Sequence, residues 1–226
     1  MRISTSLIFS ANDRNGGQSL YYGTHSSFFE QTGDGYDGFY ISAELVERFS
    51  MTDVRNTFFE YNAPGTPDYY ASNKFGIAHP EYEITLLNGQ TVRQKTIYFN
   101  ESIMMMRVAE MYLVEAEARA RFGDQVAKDV LYELQQNRDP GAVRSANTGA
   151  ALIAEILLER RKELYGELGI DWLDTKRLQQ PLDRTGSNHE APNDFIIPPN
   201  DPRFILKIPQ KEIDSNDFIK AGDQNP

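Results

Sequence analysis

The chain has 226 residues and a formal net charge of −10, with 23 lysines and arginines against 33 aspartates and glutamates. A nucleic-acid binder needs a basic surface that attracts phosphates, so this balance argues against a nucleic-acid partner. The absence of cysteine excludes disulfides, cysteine-ligated zinc and thiol nucleophiles. The longest apolar run, Ile103–Met106, ends at Arg107 and is far shorter than the roughly 18 residues of a membrane-spanning helix.

Residues 1–98 form an aromatic, turn-rich zone, because sixteen of the 26 aromatic residues lie in positions 1–82 among glycine, asparagine, aspartate and proline. The first nine residues favour a strand and show no export signal. Short helical segments are predicted over 42–49, after Ser42 as a cap, and around 52–55. Asn88-Gly89, between two β-rich runs, predicts a hairpin over 82–93 with a two-residue type I′ turn.

Residues 99–179 carry helical periodicity. A first helix is predicted over 102–122, ended by Gly123, and Asp124 is expected to cap a second over 125–137. A third is predicted over 148–168. The apolar stripe of the first helix consists of Met105, Val108, Ala109, Tyr112, Ala116 and Ala120. Because a single glycine separates the first two helices, they are expected to form an antiparallel hairpin.

Residues 180–226 form a proline-rich tail, with six of the eleven prolines between Pro181 and Pro209. This spacing excludes a continuous helix or a central strand. The runs 196–197 and 204–208 are apolar enough to anchor the tail, so an ordered irregular wrap is predicted instead of disorder.

Arg160 shares the apolar face of the third predicted helix with Ile156 and Leu164. A buried guanidinium without a carboxylate costs several kcal/mol, so we expect an internal ion-pair network with Glu163 or Asp174, packed on the only tryptophan. The residues assigned to this structural core are Arg107, Glu110, Arg160, Glu163, Trp172 and Asp174.

The sequence offers weak signals for cofactors and catalysis. Residues 33–38 match a dinucleotide-binding glycine pattern, but no βαβ unit surrounds them, and their two aspartates would oppose a pyrophosphate. Nor do these aspartates keep the ligand spacing of a calcium-binding EF-hand loop. His25, His79 and His189 lie too far apart in sequence for a helical zinc pair. The sequence therefore predicts no metal and no cofactor.

Catalytic signatures are equally weak. The chain contains no nucleophile elbow, phosphate-binding P-loop or S-x-x-K motif. A glycoside hydrolase would need two carboxylates across a cleft, and nothing singles out a pair among 33 acids. A hydrolase therefore ranks last among the functions considered.

The aromatic zone gives one positive functional indication. Tyrosines beside asparagine and aspartate, as in residues 10–15 and Tyr21-Tyr22, suit a carbohydrate, whose C–H face stacks on a ring and whose hydroxyls pair with amides and carboxylates. The alternative is that most of these rings build the core, because the zone contains few aliphatic residues. We expect about a third of them at a surface site.

Taken together, several sequence blocks resemble the C-terminal half of the SusD/RagB family of nutrient-binding outer-membrane lipoproteins. They occur in family order and span nearly the whole chain. The blocks are residues 8–13, residues 41–46 with 52–55, residues 106–118, residues 159–177, and residues 207–213 with 224–226.

The resemblance implies a mainly α-helical fold of tetratricopeptide-like helix pairs, here 103–122 with 125–137, in one C-terminal domain. An irregular ligand-facing layer and a minor β-hairpin would overlie the helices. Family members are not enzymes. They are attached to the outer cell surface by a lipid anchor, hold glycans there and pass them to a SusC-like TonB-dependent transporter. The alternative is a helical-repeat scaffold that binds only this transporter.

The resemblance also suggests where a ligand would bind, although no family motif fixes single residues. The family's ligand contacts correspond to the segment from Asn12 to Tyr70. The candidates are Tyr21, Tyr22, Tyr36, Tyr69 and Tyr70 for stacking, with Asn12, Asp13 and Asp68 for sugar hydroxyls. The family's anchor cysteine and N-terminal repeats are absent, so we expect a truncated product or a fragment.

Overall fold

A computed structural model describes residues 7–9, 41–61, 70–72, 74, 82–85, 91–94, 103–167, 169–186 and 195–225. The chain divides into two compact units, Met1–Leu168 and Gly169–Pro226. The fold is mainly helical, and the strands that the described ranges contain pair into two-stranded sheets. The predicted fold class is therefore confirmed.

The first unit begins with short elements and continues with three longer helices. Its elements in chain order are β1 (Leu7–Phe9), α1 (Ala43–Val46), a 3₁₀ helix (Val54–Phe58), β2 (Phe59–Tyr61), β3 (Tyr70–Ser72), β4 (Tyr82–Thr85), β5 (Thr91–Gln94), β6 (Ile103–Met106), α2 (Val108–Arg121), α3 (Ala127–Gln135) and α4 (Gly149–Leu164).

Helices α2, α3 and α4 pack together, with α2 against both of the others. Three alanines of α2, Ala109, Ala116 and Ala120, are buried and let the neighbouring backbones come close. Leu113, which the predicted stripe missed, is fully buried, whereas Val108 is partly exposed. The facing residues are Ala127, Leu131 and Leu134 of α3 and Leu152, Ile156 and Leu164 of α4.

The turn between α2 and α3 follows the prediction at Gly123. Gly123 has a φ of +76°, a left-handed conformation that glycine adopts without strain. The Asp124 carboxylate accepts a hydrogen bond of 2.9 Å from the Val126 amide within the turn, but the N-cap residue of α3 is Val126, without a side-chain cap hydrogen bond, so the predicted cap is wrong. The second helix spans Ala127–Gln135 and is therefore shorter than the predicted range of 125–137.

The first long helix begins later than predicted. Residues Ile103–Met106 form β6, which pairs antiparallel with β1, and Arg107 keeps extended dihedral angles before the helix starts at Val108. Methionine fits either structure, so the helical spacing of Met105 was misleading. The strand assigned to the N-terminal segment is confirmed for Leu7–Phe9.

The remaining short elements partly match the prediction. Helix α1 spans Ala43–Val46 instead of 42–49, and Ser42 precedes it without a side-chain cap hydrogen bond. β4 and β5 pair as predicted, but Thr85 lies opposite Thr91, whereas a two-residue Asn88-Gly89 loop would place it opposite Val92. The predicted Asn88-Gly89 turn lies in residues 86–90, outside the described ranges, so its type stays a prediction.

The second unit contains α5 (Ile170–Arg177), β7 (Leu182–Asp183), β8 (Ile196–Ile197) and α6 (Gln210–Ser215), with 3₁₀ turns at Pro202–Phe204 and Ala221–Asp223. Phe204 is buried with its ring centroid 5.0 Å from that of Trp172. Ile197 is also buried, but Leu206 is exposed, so only part of the predicted anchor is apolar core.

The end of the second unit is held by amide side chains. Gln224 accepts a hydrogen bond of 2.8 Å from the Ile208 amide and donates one of 3.0 Å to the Ile208 carbonyl. Asn225 donates to the Leu206 carbonyl at 2.8 Å. These hydrogen bonds join residues 206–208, which lack regular structure, to Gln224 and Asn225 near the end of the chain.

Across the described ranges, no helix is both long enough and apolar enough to span a membrane.

Leu113 tests the packing of the three long helices. We expect Leu113→Ala to lower the free energy of unfolding by about 2–5 kcal/mol, because it leaves a cavity between helices. Val114→Ala is the matched control: Val114 is 48% exposed on the same helix and should cost much less. Chemical denaturation of both variants measures the difference, and equal losses would contradict this packing.

Candidate functional site

The predicted ligand residues lie almost entirely outside the described part of the chain. Asn12, Asp13, Tyr21, Tyr22, Tyr36, Asp68 and Tyr69 are outside it, and Tyr70 is described only as the backbone of β3. β2 and β3 pair antiparallel with Tyr61 opposite Tyr70. The segment 62–69, which includes Asp68 and Tyr69, therefore joins two strands whose positions are defined.

The segment before β2 is fixed by an aspartate–arginine pair. Asp53 caps the 3₁₀ helix Val54–Phe58 by accepting a hydrogen bond of 2.9 Å from the Arg55 amide. The Arg55 guanidinium donates to both oxygens of the same carboxylate, at 2.9 Å to Oδ1 and 2.7 Å to Oδ2. Both side chains are almost fully buried. The pair is bidentate, the strongest geometry for this type of contact.

Arg55 also reaches helix α4. Its guanidinium lies 2.7 Å from Glu159 Oε1 and 3.0 Å from Glu163 Oε2. The ammonium of Lys162 lies 3.3 Å from Asp53 and 3.4 Å from Glu159. One guanidinium thus faces three carboxylates, two of which belong to successive turns of α4.

Glu163 is the centre of this arrangement. Its carboxylate, with 3% of the side chain exposed, accepts hydrogen bonds from Arg55 at 3.0 Å, from Arg107 at 2.7 Å and from Arg138 at 2.9 and 3.0 Å. These arginines come from the segment before β2, the residue before α2 and the residues after α3. A single carboxylate therefore ties three separate parts of the first unit to α4.

The end of α4 continues the network. Arg107 donates to both oxygens of Glu167 at 2.9 and 2.8 Å and to the Glu163 carbonyl at 2.7 Å. Lys74, the residue described just after β3, lies 2.6 Å from Glu167 and donates to the carbonyls of Glu163 and Tyr165 at 2.9 Å. These cations satisfy carbonyls that the helix end leaves without an intrahelical partner.

The network perturbs the protonation of its members. Burial by itself would raise the pKa of Glu163, but the hydrogen bond from Arg138 and the three guanidinium charges outweigh it and lower the pKa to about 2. Burial lowers the pKa of Lys74 to about 8, although Glu167 opposes the shift. Glu163 is therefore ionised at neutral pH despite being buried.

Aromatic rings cover the network. The Phe49 ring lies beneath the Arg55 guanidinium at 5.3 Å and the Lys162 ammonium at 5.0 Å, and the Tyr165 ring lies 4.2 Å from Lys74. Phe59, the first residue of β2, packs between these rings, 5.0 Å from Phe49 and 5.7 Å from Tyr165. Apolar and cation–π contacts thus join the start of β2 to the charged cluster.

A second connection fixes the same segment. The Val54 amide donates to the Arg138 carbonyl at 2.8 Å, and the hydroxyls of Ser50 and Thr52 donate to the Asp139 carboxylate. A Cβ added to Gly141 would lie only 2.6 Å from Thr52 Oγ1, so glycine allows this close approach. The chain before β2 is therefore held by both α4 and the residues after α3.

We define the Glu163 network as residues Asp53, Arg55, Lys74, Arg107, Arg138, Glu159, Lys162, Glu163 and Glu167. It anchors the chain before β2, through Asp53 and Arg55, and after β3, through Lys74. The β2–β3 pair is thus held from both ends.

Some of the structural residues predicted from sequence have partners other than the expected ones. Arg160 is buried as expected, but it pairs with Glu110 of α2 at 3.1 Å, whereas Glu163 is occupied by three other arginines. Asp174 accepts from Arg177 within α5 at 3.0 Å, and Trp172 packs on Phe204. The expected contact of Arg160 with Asp174 stays a prediction, because the two residues belong to different units.

Sequence reasoning missed Arg55, Lys74, Arg138 and Glu167. Glu159 and Glu163 lie one turn apart on α4, and both are buried. The three arginines that bind Glu163 lie 25 to 108 positions away from it, so helical spacing could not identify them. Within the described ranges, no group of three histidine, aspartate or glutamate side chains could hold a metal ion.

Glu163→Gln tests the structural role of the network. We expect a loss of about 3–5 kcal/mol in the free energy of unfolding, because three buried or partly buried guanidinium groups lose their shared charge partner. Glu115→Gln is the control: Glu115 forms an exposed pair with Arg119 on α2 and should leave stability nearly unchanged. Urea titration measures both, and similar stability of both variants would contradict the role.

The lowered pKa of Glu163 predicts an acid dependence of stability. Between pH 4.5 and about 2 the unfolded state binds a proton at Glu163 that the folded state does not, so the free energy of unfolding falls as the pH falls. Arg138→Gln should raise this pKa and flatten the decline. Urea titrations at stepped pH compare the variant with the wild type and with the exposed control Arg119→Gln. Parallel curves for Arg138→Gln and the wild type would refute the coupling.

Comparisons with solved structures show a common fold. A SusD-like carbohydrate binding protein from Bacteroides vulgatus ATCC 8482 matches with a TM-score of 0.68 and 22% identity, over 97% of this chain and 48% of its own. A SusD superfamily protein from the same organism matches with a TM-score of 0.66 and 24% identity, over 85% of this chain and 40% of its own. A third structure from that organism has a TM-score of 0.65 and 25% identity, over 88% of this chain and 41% of its own.

The chain thus spans about half the length of the solved structures that it matches. No curated protein sequence gives a significant match. The family model for the SusD family matches residues 81–226, which is more than half of the chain and includes the three long helices and the whole second unit. The chain therefore belongs to the SusD family.

Proposed function

We propose that this protein binds glycans without chemical turnover, as part of an outer-surface system that delivers them to a SusC-like TonB-dependent transporter. The observation that carries the proposal is the SusD family match over residues 81–226. A structure with the same fold is described as a SusD-like carbohydrate binding protein, which supports the same ligand class.

The geometry supports binding over catalysis. The acids that the structure places together are Asp53, Glu159, Glu163 and Glu167, and each of them is occupied by arginine or lysine. A carboxylate held by guanidinium groups at a pKa near 2 is a poor proton donor or acceptor at neutral pH. The network therefore suits a scaffold that holds a binding segment in place.

We place the glycan contacts in the aromatic layer, on Tyr21, Tyr22, Tyr36, Tyr69 and Tyr70 with Asn12, Asp13 and Asp68. The β2–β3 pair supports this choice for Asp68, Tyr69 and Tyr70. The chain before β2 is fixed to α4 through Arg55 and Glu163, and the chain after β3 is fixed to Glu167 through Lys74. Fixing a loop in advance lowers the entropy lost on binding, which matters for a shallow site that depends on stacking and hydrogen bonds.

The proposal also includes the SusC-like transporter as partner and the outer surface as location. Both are supported by the SusD family match over residues 81–226 and by the resemblance of the sequence blocks between residues 8 and 226 to the SusD/RagB family. A lipid anchor on a longer form of the protein would hold it at the outer face of the outer membrane. Co-purification of a TonB-dependent transporter with the tagged protein from native membranes would support this part.

Tyrosine substitutions test the glycan site. We expect Tyr69→Ala and Tyr21→Ala each to weaken binding of a soluble oligosaccharide by roughly tenfold, because loss of one stacking ring removes on the order of 1 kcal/mol. Calorimetric titration against a broad panel of soluble oligosaccharides identifies the ligand and measures the loss.

The controls separate binding from folding. Tyr132→Ala, on helix α3, should leave affinity unchanged, and the layer variants should keep the wild-type melting temperature. Absence of binding to every glycan in the panel, or equal affinity in the Tyr69→Ala and Tyr132→Ala variants, would overturn the proposed site.

A further inference from the structure

The second unit contains a groove beside the end of α5. It encloses about 190 Å³ and is lined by Thr175, Gln179, Gln180, Asn200, Phe204 and Ile205, among others. We call it the α5 groove. Ligand pockets for drug-sized molecules typically measure about 300–1,000 Å³, so a groove of this size suits a single ring.

Three amide side chains line the groove. In the part of the chain that the structure describes, no group hydrogen bonds to the side-chain amides of Gln179, Gln180 or Asn200. An amide carries both donors and an acceptor, which matches a hydroxyl group because a hydroxyl is also both. Three such groups around one cavity favour a ligand that carries several hydroxyls.

The charged groups of the groove are largely neutralised. Asp201 accepts hydrogen bonds from Arg203 Nε at 2.8 Å and from its NH2 group at 2.9 Å, which together with the Arg203 amide lower the pKa of Asp201 to about 2. The carboxylate is therefore already paired. Lys176 adds an exposed ammonium at the rim, which can donate to a neutral oxygen. With Asp201 paired, its carboxylate does not repel a neutral ligand or compete for its hydroxyl groups.

The apolar side of the groove is rigid. Phe204 is 5% exposed, is held against Trp172, and belongs to a 3₁₀ turn that Asp201 caps. Ile205 follows it and is 46% exposed. A groove lined by both apolar side chains and amides matches a sugar ring, which has a C–H face and hydroxyls at its edge.

The backbone gives an independent reason to single out this groove. Among the described residues, Gln179 and Asn200 are the only non-glycine residues with a positive φ, at +50° and +60°, and both line it. Gln179 occupies the left-handed position after α5, where the Gln180 amide bonds to the Thr175 carbonyl at 3.0 Å and glycine is the usual residue. Asn200 follows Pro199 in a turn that is closed by a 3.3 Å hydrogen bond from the Asp201 amide to the Pro198 carbonyl. Glycine also fits the position of Asn200 in such a turn.

Glycine would therefore serve the fold better at Gln179 and at least as well at Asn200, so folding alone does not explain these side chains. From this and the groove's chemistry we propose that the α5 groove is a second sugar-binding site, which takes one neutral hexose unit through Gln179, Gln180 and Asn200. The sugar class rests on the proposed function, but the site is built from residues other than the candidate tyrosines.

The test uses the variant Gln179→Gly with Asn200→Gly. We expect it to fold with an equal or higher melting temperature, because glycine relieves the left-handed backbone. Ligand-observed saturation-transfer NMR with D-glucose, D-galactose and D-mannose at millimolar concentration should detect at least one hexose on the wild type. The double variant should weaken that binding roughly tenfold or more, since it removes two hydrogen-bonding amides.

Two controls make the result specific. Gln210→Ala, an amide change in α6 of the same unit, should leave the hexose signal unchanged. Tyr21→Ala and Tyr69→Ala should also leave it unchanged, while they weaken the oligosaccharide affinity of the first site. Failure of the tyrosine variants alone would count against the proposed function and not against this groove.

Three results would overturn the second site: no signal from any of the three hexoses, equal signals from the wild type and the double glycine variant, or a signal that the tyrosine variants abolish. A lower melting temperature in the double variant would contradict the argument that these side chains are not needed for folding.

Discussion

The first unit depends on one buried carboxylate being shared by three arginines. Glu163 is brought inside by helix α4, and leaving it without partners would cost several kcal/mol, as would leaving Arg55 unpaired in the same interior. Each partner arrives from a different part of the chain, so the charges are satisfied only when the segment before β2, the start of α2 and the residues after α3 are all in place. The network thus makes the position of the β2–β3 pair a consequence of how the helices pack.

This constraint connects the long helices to the segment that leads into β2. The helices bury leucine and alanine on their shared faces, which supplies stability but does not by itself specify where that segment lies. The charged cluster supplies that specification, because a bidentate Arg55–Asp53 pair and a lysine bound to two carbonyls accept few alternative geometries. The ends of the β2–β3 pair are therefore fixed to α4 and to Glu167 just after it.

The helices could be predicted from sequence because their signals are local. Gly123 and Asp124 mark the turn between α2 and α3, and alanines at helical spacing mark the buried face of α2. Ile103–Met106 could not be recognised as a strand, since its partner, Leu7–Phe9, lies about a hundred residues earlier and methionine suits both structures. The sequence placed Arg107 and Glu163 in the structural ion-pair core but did not identify Arg55 and Arg138 as partners of Glu163, for the same reason. These two arginines lie 108 and 25 positions away from it in the chain.

The central claim is that Glu163 holds the segment before β2 to helix α4, and amide hydrogen exchange in Glu163→Gln tests it most directly. The claim predicts that amides in Val54–Tyr61 lose protection strongly, whereas those of α2 and α3 around Leu113 and Leu131 keep most of theirs under native conditions. Equal protection of Val54–Tyr61 in the variant and the wild type, or a uniform loss across both regions, would contradict it.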